Sequence, residues 1–336
     1  MALRLTRREL LAGSVSAIAV GCGGGSNSPT GPTSTVSVTG QITDALTGGP
    51  VPGAILQAGA DSVQAGVDGM FEVTLTPALA RVTIAAPGYV SRDTGLRAPG
   101  PHAVVSLIPV SFDLQFFDEL CRGYSGSGSS LRWMQPPVLV VESSVVNWTD
   151  SYTDVELGRT ATGEQIPGQL IDQTVAQLQR DLVLLSAEHF TGFASVERRT
   201  SPVGGRSEIP SGAIEVAWER GLAAGMTARW GRPIDAYGGR NLSETVSQAK
   251  GRVALDSVQF ADMSPVSAGR RDFVLRHELG HAFGYGHTTV GPSFMFRQLL
   301  GVSARDSDAF KVFFQRPIGN KAPDIDPSGF AVNATA

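Results

Sequence analysis

Three of the five histidines in the chain lie close together, with the spacing H-E-x-x-H-x-x-G-x-x-H. Residues four apart on a helix lie one turn above one another, so His277 and His281 can both reach one metal ion. Glu278 lies beside them and has the chemistry of a general base. Gly284 lacks a Cβ and can take the left-handed conformation that ends a helix, which allows His287 to approach from another direction. The spacing therefore predicts a three-histidine zinc site with its own base.

An ordinary amphipathic helix is the alternative interpretation of this stretch. Leu275, Leu279 and Phe283 form an apolar stripe at helical spacing, which indicates a face turned to a core. The stripe and the histidines occupy different faces, so a core helix and a metal site are compatible. Three of five histidines at ligand spacing, together with the glutamate and the glycine, favour the metal site.

The composition indicates a folded chain with enough apolar residues for two cores. It has 336 residues, of which 42% are hydrophobic and 17% are charged. The net charge of -4 provides no basic surface for phosphates, which argues against a nucleic-acid partner. Of the two cysteines, Cys22 belongs to the leader, so the mature chain has only Cys121 and no intramolecular disulfide is expected.

The N-terminal residues have the pattern of an export signal. Arg7 and Arg8 precede an apolar run that ends at Val20 and is shorter than the ~20 residues needed to span a bilayer. The paired arginines resemble a twin-arginine signal. Small residues before Cys22 resemble a bacterial lipobox, although Ala19 stands where that pattern usually has leucine. The resemblance implies a lipidated Cys22 that anchors an exported envelope lipoprotein in the outer membrane; a soluble secreted protein cleaved nearby is the alternative.

Short alternating runs that begin at Val36 predict a small all-β sandwich. Asp68-Gly69 predicts a tight hairpin turn just before the strand around Phe71. The segments typical of a known domain type are Val38-Thr39-Gly40-Gln41-Ile42-Thr43-Asp44, Thr47-Gly48, Pro50-Val51-Pro52-Gly53-Ala54, Asp68-Gly69-Met70-Phe71 and Pro87-Gly88-Tyr89. This set resembles the carboxypeptidase regulatory-like, transthyretin-like domains, which implies a non-catalytic spacer or binding module.

From Trp133 onward the pattern becomes that of a mixed α/β domain. Its predicted elements, in chain order, are a buried strand at Val138–Val146, a long helix at Glu164–Phe190, strands at Phe193–Arg198, Ala213–Glu219, Gly225–Trp230 and Gly251–Asp256, a zinc helix at Arg270–Phe283 capped by Ser267, and a last helix at Ala304–Gln315 closed by Pro317.

This order of elements, together with the histidine spacing, resembles the metzincin zinc peptidases. Met295 follows His287 by eight residues, where metzincins place their Met-turn, and the spacing resembles the matrixin branch. Such a methionine packs beneath the metal and is not a ligand; a chance core methionine is the alternative. Arg297 stands where some metzincins have tyrosine, so no tyrosine switch is expected. His102 and His189 are too few for the second zinc of matrixins, so the resemblance implies one Zn²⁺ per chain.

The resemblance implies an endopeptidase that acts on a protein or peptide substrate, with Glu278 taking the proton of a metal-activated water. Metzincins pair extended substrate with an edge strand, for which Gly225–Trp230 is the candidate. Leu299 and Leu300 indicate an apolar specificity pocket. Two other functions stay open. One is an adhesion protein with a vestigial zinc site, against which the intact Glu278 argues, and the other is a zinc hydrolase of a non-peptide envelope polymer.

Three residues outside the motif receive structural interpretations. His102 is expected at the surface, and His189 is expected to pack at the end of the long helix. A cysteine upstream of the catalytic domain keeps matrixins latent, but the residues around Cys121 lack the pattern of that switch. A buried, inert thiol is therefore the preferred interpretation of Cys121.

We therefore expect a monomeric, multidomain chain, with an N-terminal all-β sandwich followed by an α/β catalytic domain. The predicted divisions are a signal segment at 1–22, a flexible tether at 23–35, the sandwich at 36–110, a linker at 111–132, the catalytic domain at 133–317 and a C-terminal tail at 318–336.

Overall fold

The structure is a computed structural model that describes residues 35–76, 78–123, 128–148, 160–200, 209–230, 236–241, 249–260, 265–296 and 301–333. The chain divides into Met1–Ser34 and a compact unit at Thr35–Ala336, and every described residue belongs to the second. The predicted signal segment with Cys22, nearly all of the tether, and Leu299 and Leu300 lie outside the described residues. Among the helices that are described, none is both long and apolar enough to cross a membrane.

The N-terminal part of the compact unit is a sandwich of two sheets, as its alternating sequence predicts. Its strands are β1 (Val36–Asp44), β2 (Ile55–Ala58), β3 (Asp61–Gln64), β4 (Met70–Leu75), β5 (Leu79–Ala85), β6 (Arg92–Arg97) and β7 (Ala103–Leu107). One sheet has the order β4-β1-β7 and the other β3-β2-β5-β6. Every second side chain of β4 is buried, since one face of the strand covers the core. Ile42, Phe71 and Ile84 belong to this core, and the predicted turn has Gly69 at a φ of 72°.

The C-terminal part is a mixed sheet with helices packed on it. Its elements are α1 (Leu114–Phe117), a π-helical turn (Asp118–Arg122), β8 (Val138–Glu142), β9 (Ser144–Asn147), β10 (Ala161–Gln165), α2 (Gly168–Leu185), β11 (Ser195–Arg199), β12 (Ala213–Arg220), α3 (Leu222–Trp230), β13 (Ala236–Asn241), β14 (Lys250–Asp256), α4 (Ser257–Phe260), α5 (Pro265–Phe283) and α6 (Ala304–Gln315). Strands β11, β8, β12 and β14 are parallel neighbours in that order, and β13 is antiparallel to β14. The chain is thus multidomain-like and rich in β-sheet, with a few helices.

Helices α2 and α5 cover one face of the larger sheet and contact each other. Leu178 of α2, Trp218 of β12, and Leu279 and Phe283 of α5 share a single core, in which each is fully buried. The apolar stripe that the sequence predicts on α5 therefore faces the sheet. This packing places α5 beside β13 and β14 and turns the face with the histidines away from the core.

Two predicted elements have different limits in the structure. The single strand predicted at Val138–Val146 is two strands, because the chain changes neighbours at Ser143. Its N–H donates to Arg199 O of β11 at 2.7 Å, and its carbonyl accepts from Ile166 N, just after β10, at 2.9 Å. The long helix begins only after Pro167 and ends at Leu185. Proline restricts the residue before it to extended conformations, which explains the late start.

The prediction of a strand at Gly225–Trp230 is wrong, because this segment belongs to helix α3. The N-terminus of α3 is held by a distant side chain, since Ala223 N donates to Asp256 Oδ2 at 3.0 Å. In the larger sheet, the sequence analysis missed strands β10 and β13. The prediction that Ser267 caps the zinc helix is also wrong, because α5 begins two residues earlier, at Pro265. Proline suits the first position of a helix.

The segments predicted as a linker and as a tail are both packed against the rest of the unit. Phe117 and Cys121, in the predicted linker 111–132, are buried in the core of the larger sheet. Residues 316–333, which we call the C-terminal clasp, cross the sandwich, where Val332 N donates to Gly95 O at 3.0 Å. The predicted tail at 318–336 is therefore largely folded, because its polar side chains find buried partners on the sandwich.

Candidate metal centre

Helix α5 positions two of the three predicted ligands. His277 and His281 are one turn apart and each is only 7% exposed. The Nδ1 atom of His277 lies 2.9 Å from Phe294 O, and that of His281 lies 3.0 Å from Tyr285 O. Because a carbonyl only accepts, Nδ1 carries the proton in both rings, and each Nε2 presents a lone pair. Both rings are thus fixed in the tautomer and the orientation that a metal ligand needs.

Gly284 ends α5 where the sequence predicts. Its φ is 108°, and the hydrogen bonds Gly284 N to His281 O and Tyr285 N to Gly280 O form a Schellman motif. The chain then turns back and brings His287 to the two helical histidines. The sequence prediction that the helix must end at this point is confirmed.

The three histidines converge on one point. Nε2 of His287 lies 3.2 Å from Nε2 of His277 and 3.2 Å from Nε2 of His281. Ligand atoms at ~2.0–2.1 Å from zinc in a tetrahedron are about 3.3 Å apart, so these separations fit one ion. Among the His, Cys, Asp and Glu side chains that the structure describes, these three form the group whose ligand atoms lie close enough together to hold one metal ion. The donors are all imidazole nitrogens, which suit zinc among other transition metals.

Burial shifts the pKa values of two residues around this point, His281 and Glu278. Burial, followed by the charges of His277 and His287, holds the pKa of His281 well below its usual 6.5. Burial raises the pKa of Glu278, while the charge of His277 and a hydrogen bond from the Gly238 N–H act in the opposite direction. A neutral His281 keeps its lone pair at pH 7, and Glu278 has a higher proton affinity than an exposed glutamate.

Met295 packs against helix α5 at Gly280, the residue before His281. A Cβ placed on Gly280, between the histidines, would lie 2.7 Å from Met295 Sδ, so the sulfur packs directly on the helix backbone. The turn around it is held by Asp306 of α6, whose Oδ1 accepts from Ser293 Oγ at 2.6 Å and whose Oδ2 accepts from Phe294 N at 3.3 Å. Sequence analysis missed this role of Asp306, although the capping-box spacing from Ser303 was a usable signal.

Strand β13 forms an edge of the sheet next to the candidate site. A Cβ on Gly238 would lie 2.1 Å from Glu278 O, so only glycine allows the strand to approach the helix this closely. Within the described ranges, β13 has β14 as its neighbour on one side only. This edge strand, and not Gly225–Trp230, borders the candidate base.

The other residues considered in the sequence analysis lie away from the three histidines. His102 is exposed and has Nδ1 3.5 Å from Thr39 Oγ1. His189 packs against the ring of Phe314, with centroids 5.2 Å apart, although it is exposed overall. Cys121 is 2% exposed, and burial raises the pKa of its thiol. A buried thiol was the preferred interpretation of Cys121, and its burial is confirmed.

Comparisons with known proteins leave the family of the chain open. No family model and no curated protein matches the sequence. A crystal structure of a DUF3823 family protein from Parabacteroides merdae is 22% identical over a match that covers 22% of this chain and 45% of that chain, with a TM-score of 0.18. The matched part thus spans less than half of that protein. A likeness at this TM-score does not establish a common fold.

Proposed function

We propose that the chain is a zinc-dependent endopeptidase of the metzincin type. The observation that carries the proposal is the convergence of His277, His281 and His287 with Glu278 beside them, at Nε2 separations of 3.2 Å. A purely structural metal site has no use for a buried carboxylate next to the ligands. The adhesion alternative, with a vestigial site, is less well supported for this reason.

Each residue of the site has a role in the proposed reaction. The three histidines would hold a zinc ion, which would act as a Lewis acid that lowers the pKa of water toward ~7 and polarises a carbonyl. Glu278 takes the proton from the attacking water and delivers it to the leaving amine. The Gly238 N–H orients the Glu278 carboxylate. Strand β13 offers an edge on which an extended peptide can add as a further strand.

The resemblance to metzincins is supported by two further features. Strand β8, helix α2, the following strands and helix α5 occur in the chain order that the resemblance implies. Met295 is fully buried and its sulfur packs against the helix backbone at Gly280, which is consistent with a Met-turn. In this proposal the sandwich is a non-catalytic module. The whole chain is an envelope lipoprotein anchored through Cys22, and it cleaves protein or peptide substrates as a monomer with one Zn²⁺.

Separate substitutions of the base and of a ligand test the proposal. Glu278→Gln should keep about one zinc per chain and its melting temperature, while cleavage of a quenched peptide library falls by ~10²–10⁴. His281→Ala should lose both zinc and cleavage. Glu188→Gln, an exposed glutamate after α2, removes the same charge and should change neither.

Three results would contradict the proposal. The first is a wild-type protein that holds zinc and cleaves no peptide, which would favour the adhesion protein. The second is a Glu278→Gln variant as active as wild type. Cleavage of an envelope polysaccharide in place of peptides, lost in Glu278→Gln, would favour the non-peptide hydrolase.

A further inference from the structure

The third histidine differs from the other two in how it is held. His277 and His281 lie on a helix and are buried, whereas His287 is exposed and lies on the loop that follows α5. A loop has more conformational freedom than a helix, so the position of His287 depends on contacts made by its neighbours. The main-chain anchors of residues 286–289 therefore help to hold the third ligand in place.

Two of these anchors come from the π-helical turn, far away in the sequence. Gly286 N donates to Leu120 O at 2.8 Å, and Thr289 N donates to Glu119 Oε2 at 2.7 Å. The Thr289 hydroxyl adds contacts of 2.9 and 3.0 Å to the two oxygens of Glu119. A third anchor, Thr288 N to Met295 O at 3.2 Å, is local. The loop is thus fixed on both sides of His287 by consecutive residues of one distant turn.

The Glu119 carboxylate is well matched to this contact. It accepts both an N–H and an O–H from one residue, and such charge-assisted hydrogen bonds are stronger than neutral ones. The backbone hydrogen bond from Thr289, opposed by partial burial, lowers the pKa of Glu119 from 4.5. The acceptor is therefore ionised throughout the neutral range.

The π-helical turn is itself rigidly attached. Leu120 and Cys121 are buried in the same core as Tyr285, the residue whose carbonyl orients His281. Asp113 caps the preceding helix, with Oδ1 3.0 Å from Phe116 N. The π-helical turn can position the His287 loop only if its own position is fixed. The close packing of Leu120 and Cys121 in the core fixes the turn.

We infer that Glu119 is a positioning residue of the metal centre, which acts through Thr289 to hold His287 where its Nε2 meets those of the two helical histidines. The inference rests on the proposed function, since it concerns the same metal site. Glu119 is not one of the three side chains that could hold the metal. Its loss should weaken metal binding without removing the base.

The test compares zinc affinity and folding in matched variants. Glu119→Ala should raise the dissociation constant for zinc by ~10–100-fold, as measured by competition with a chromophoric chelator. Saturating zinc should restore its peptide cleavage, which it cannot do for Glu278→Gln. The zinc-free forms of Glu119→Ala and wild type should melt alike, a result that a purely structural role would not give. Glu188→Gln is the charge-matched control.

Thr289→Val provides a milder variant, because it removes the hydroxyl contact and keeps the backbone N–H. It should weaken zinc binding several-fold in the wild-type background and not at all in Glu119→Ala, since the two residues act through one contact. If Glu119→Ala does not fold, Thr289→Val alone decides the question: wild-type zinc affinity in this variant would overturn the inference.

The outcomes separate this inference from the proposed function. Wild type that binds zinc tightly, together with a Glu119→Ala variant that binds it equally tightly, overturns the role of Glu119 and leaves the peptidase proposal intact. Wild type that binds no zinc overturns both. If Glu119→Ala binds zinc more weakly and saturating zinc does not restore its peptide cleavage, Glu119 does more than position a ligand. This result also contradicts the inference.

Discussion

The contact between Arg316 and Asp324 is buried where the C-terminal clasp meets the sandwich. Arg316 Nε and Nη2 donate to the two oxygens of Asp324, both at 2.7 Å, and neither side chain has any exposed surface. Asn320 donates to Asp324 Oδ1 at 3.0 Å, and Arg316 reaches Ser106 Oγ at 2.8 Å. Asp324→Ala would leave the guanidinium of Arg316 buried without its carboxylate.

The expected loss of stability in Asp324→Ala follows from the burial of both side chains of the ion pair. Removal of one partner of a buried ion pair costs ~3–5 kcal/mol, whereas replacement of both by apolar residues of similar size is often neutral. Asp324→Ala should therefore lower the free energy of unfolding by ~3–5 kcal/mol, and the double variant Arg316→Met, Asp324→Leu should be more stable than the single one. Asp172→Ala is the control, since Asp172 pairs with Arg198 on an exposed surface and should cost at most about 1 kcal/mol.

Urea unfolding followed by tryptophan fluorescence measures these differences, and pH adds a second readout. Burial alone would raise the pKa of Asp324, but the charge and hydrogen bonds of Arg316 outweigh it and lower the pKa from 3.8. Its contribution is therefore complete above pH 3.8 and is lost as the pH falls through the folded-state value. In Asp324→Ala, the free energy of unfolding should therefore fall less steeply as the pH is lowered through this range. A cost no larger than that of Asp172→Ala, or a double variant less stable than the single one, would refute the reasoning.

Two further predictions concern the packing of the C-terminal part of the compact unit. Gly238→Ala should lower both the melting temperature and the rate of peptide cleavage, because its Cβ would lie 2.1 Å from Glu278 O. Gly269→Ala is the control and should lower neither, because a Cβ there would have nothing within 4 Å. Equal behaviour of the two variants would contradict the close packing of β13 on α5. In a Cys22→Ser background, Cys121 should react with iodoacetamide far more slowly in native protein than in urea, since burial raises the pKa of its thiol; equal rates would show an accessible thiol.

The parts of the structure that the sequence predicts well depend on local patterns. The sandwich strands follow from alternation, as in the segment around Phe71, and α5 follows from helical spacing. Gly284 could be assigned as the end of α5 because a positive φ there requires glycine. The approach of the three ligands follows from the same spacing, since the helix places two histidines and the turn at Gly284 brings the third back toward them.

The parts that sequence analysis missed depend on contacts between distant residues. Helix α3 is held at its start by Asp256, and no residue near Ala223 indicates this cap. The contact of Glu119 with Thr289 joins residues 170 positions apart. The C-terminal clasp resembles a polar tail in composition, and only its partners on the sandwich, such as Arg92 for Asp326, make it part of the fold. Such pairings have no periodic signature.

Arg122 connects the clasp to the metal centre. It lies on the π-helical turn that carries Glu119, and its Nη2 donates to the Asn320 side chain, which in turn donates to Asp324 at 3.0 Å. A disturbed clasp should therefore loosen the turn that holds the His287 loop. Coupling between two sites is reciprocal. If Asp324→Ala weakens zinc binding by some factor, bound zinc must therefore stabilise the intact clasp by the same factor. Zinc should then stabilise wild type more than Asp324→Ala at the same free zinc concentration, and equal stabilisation of the two would show that clasp and metal centre are independent.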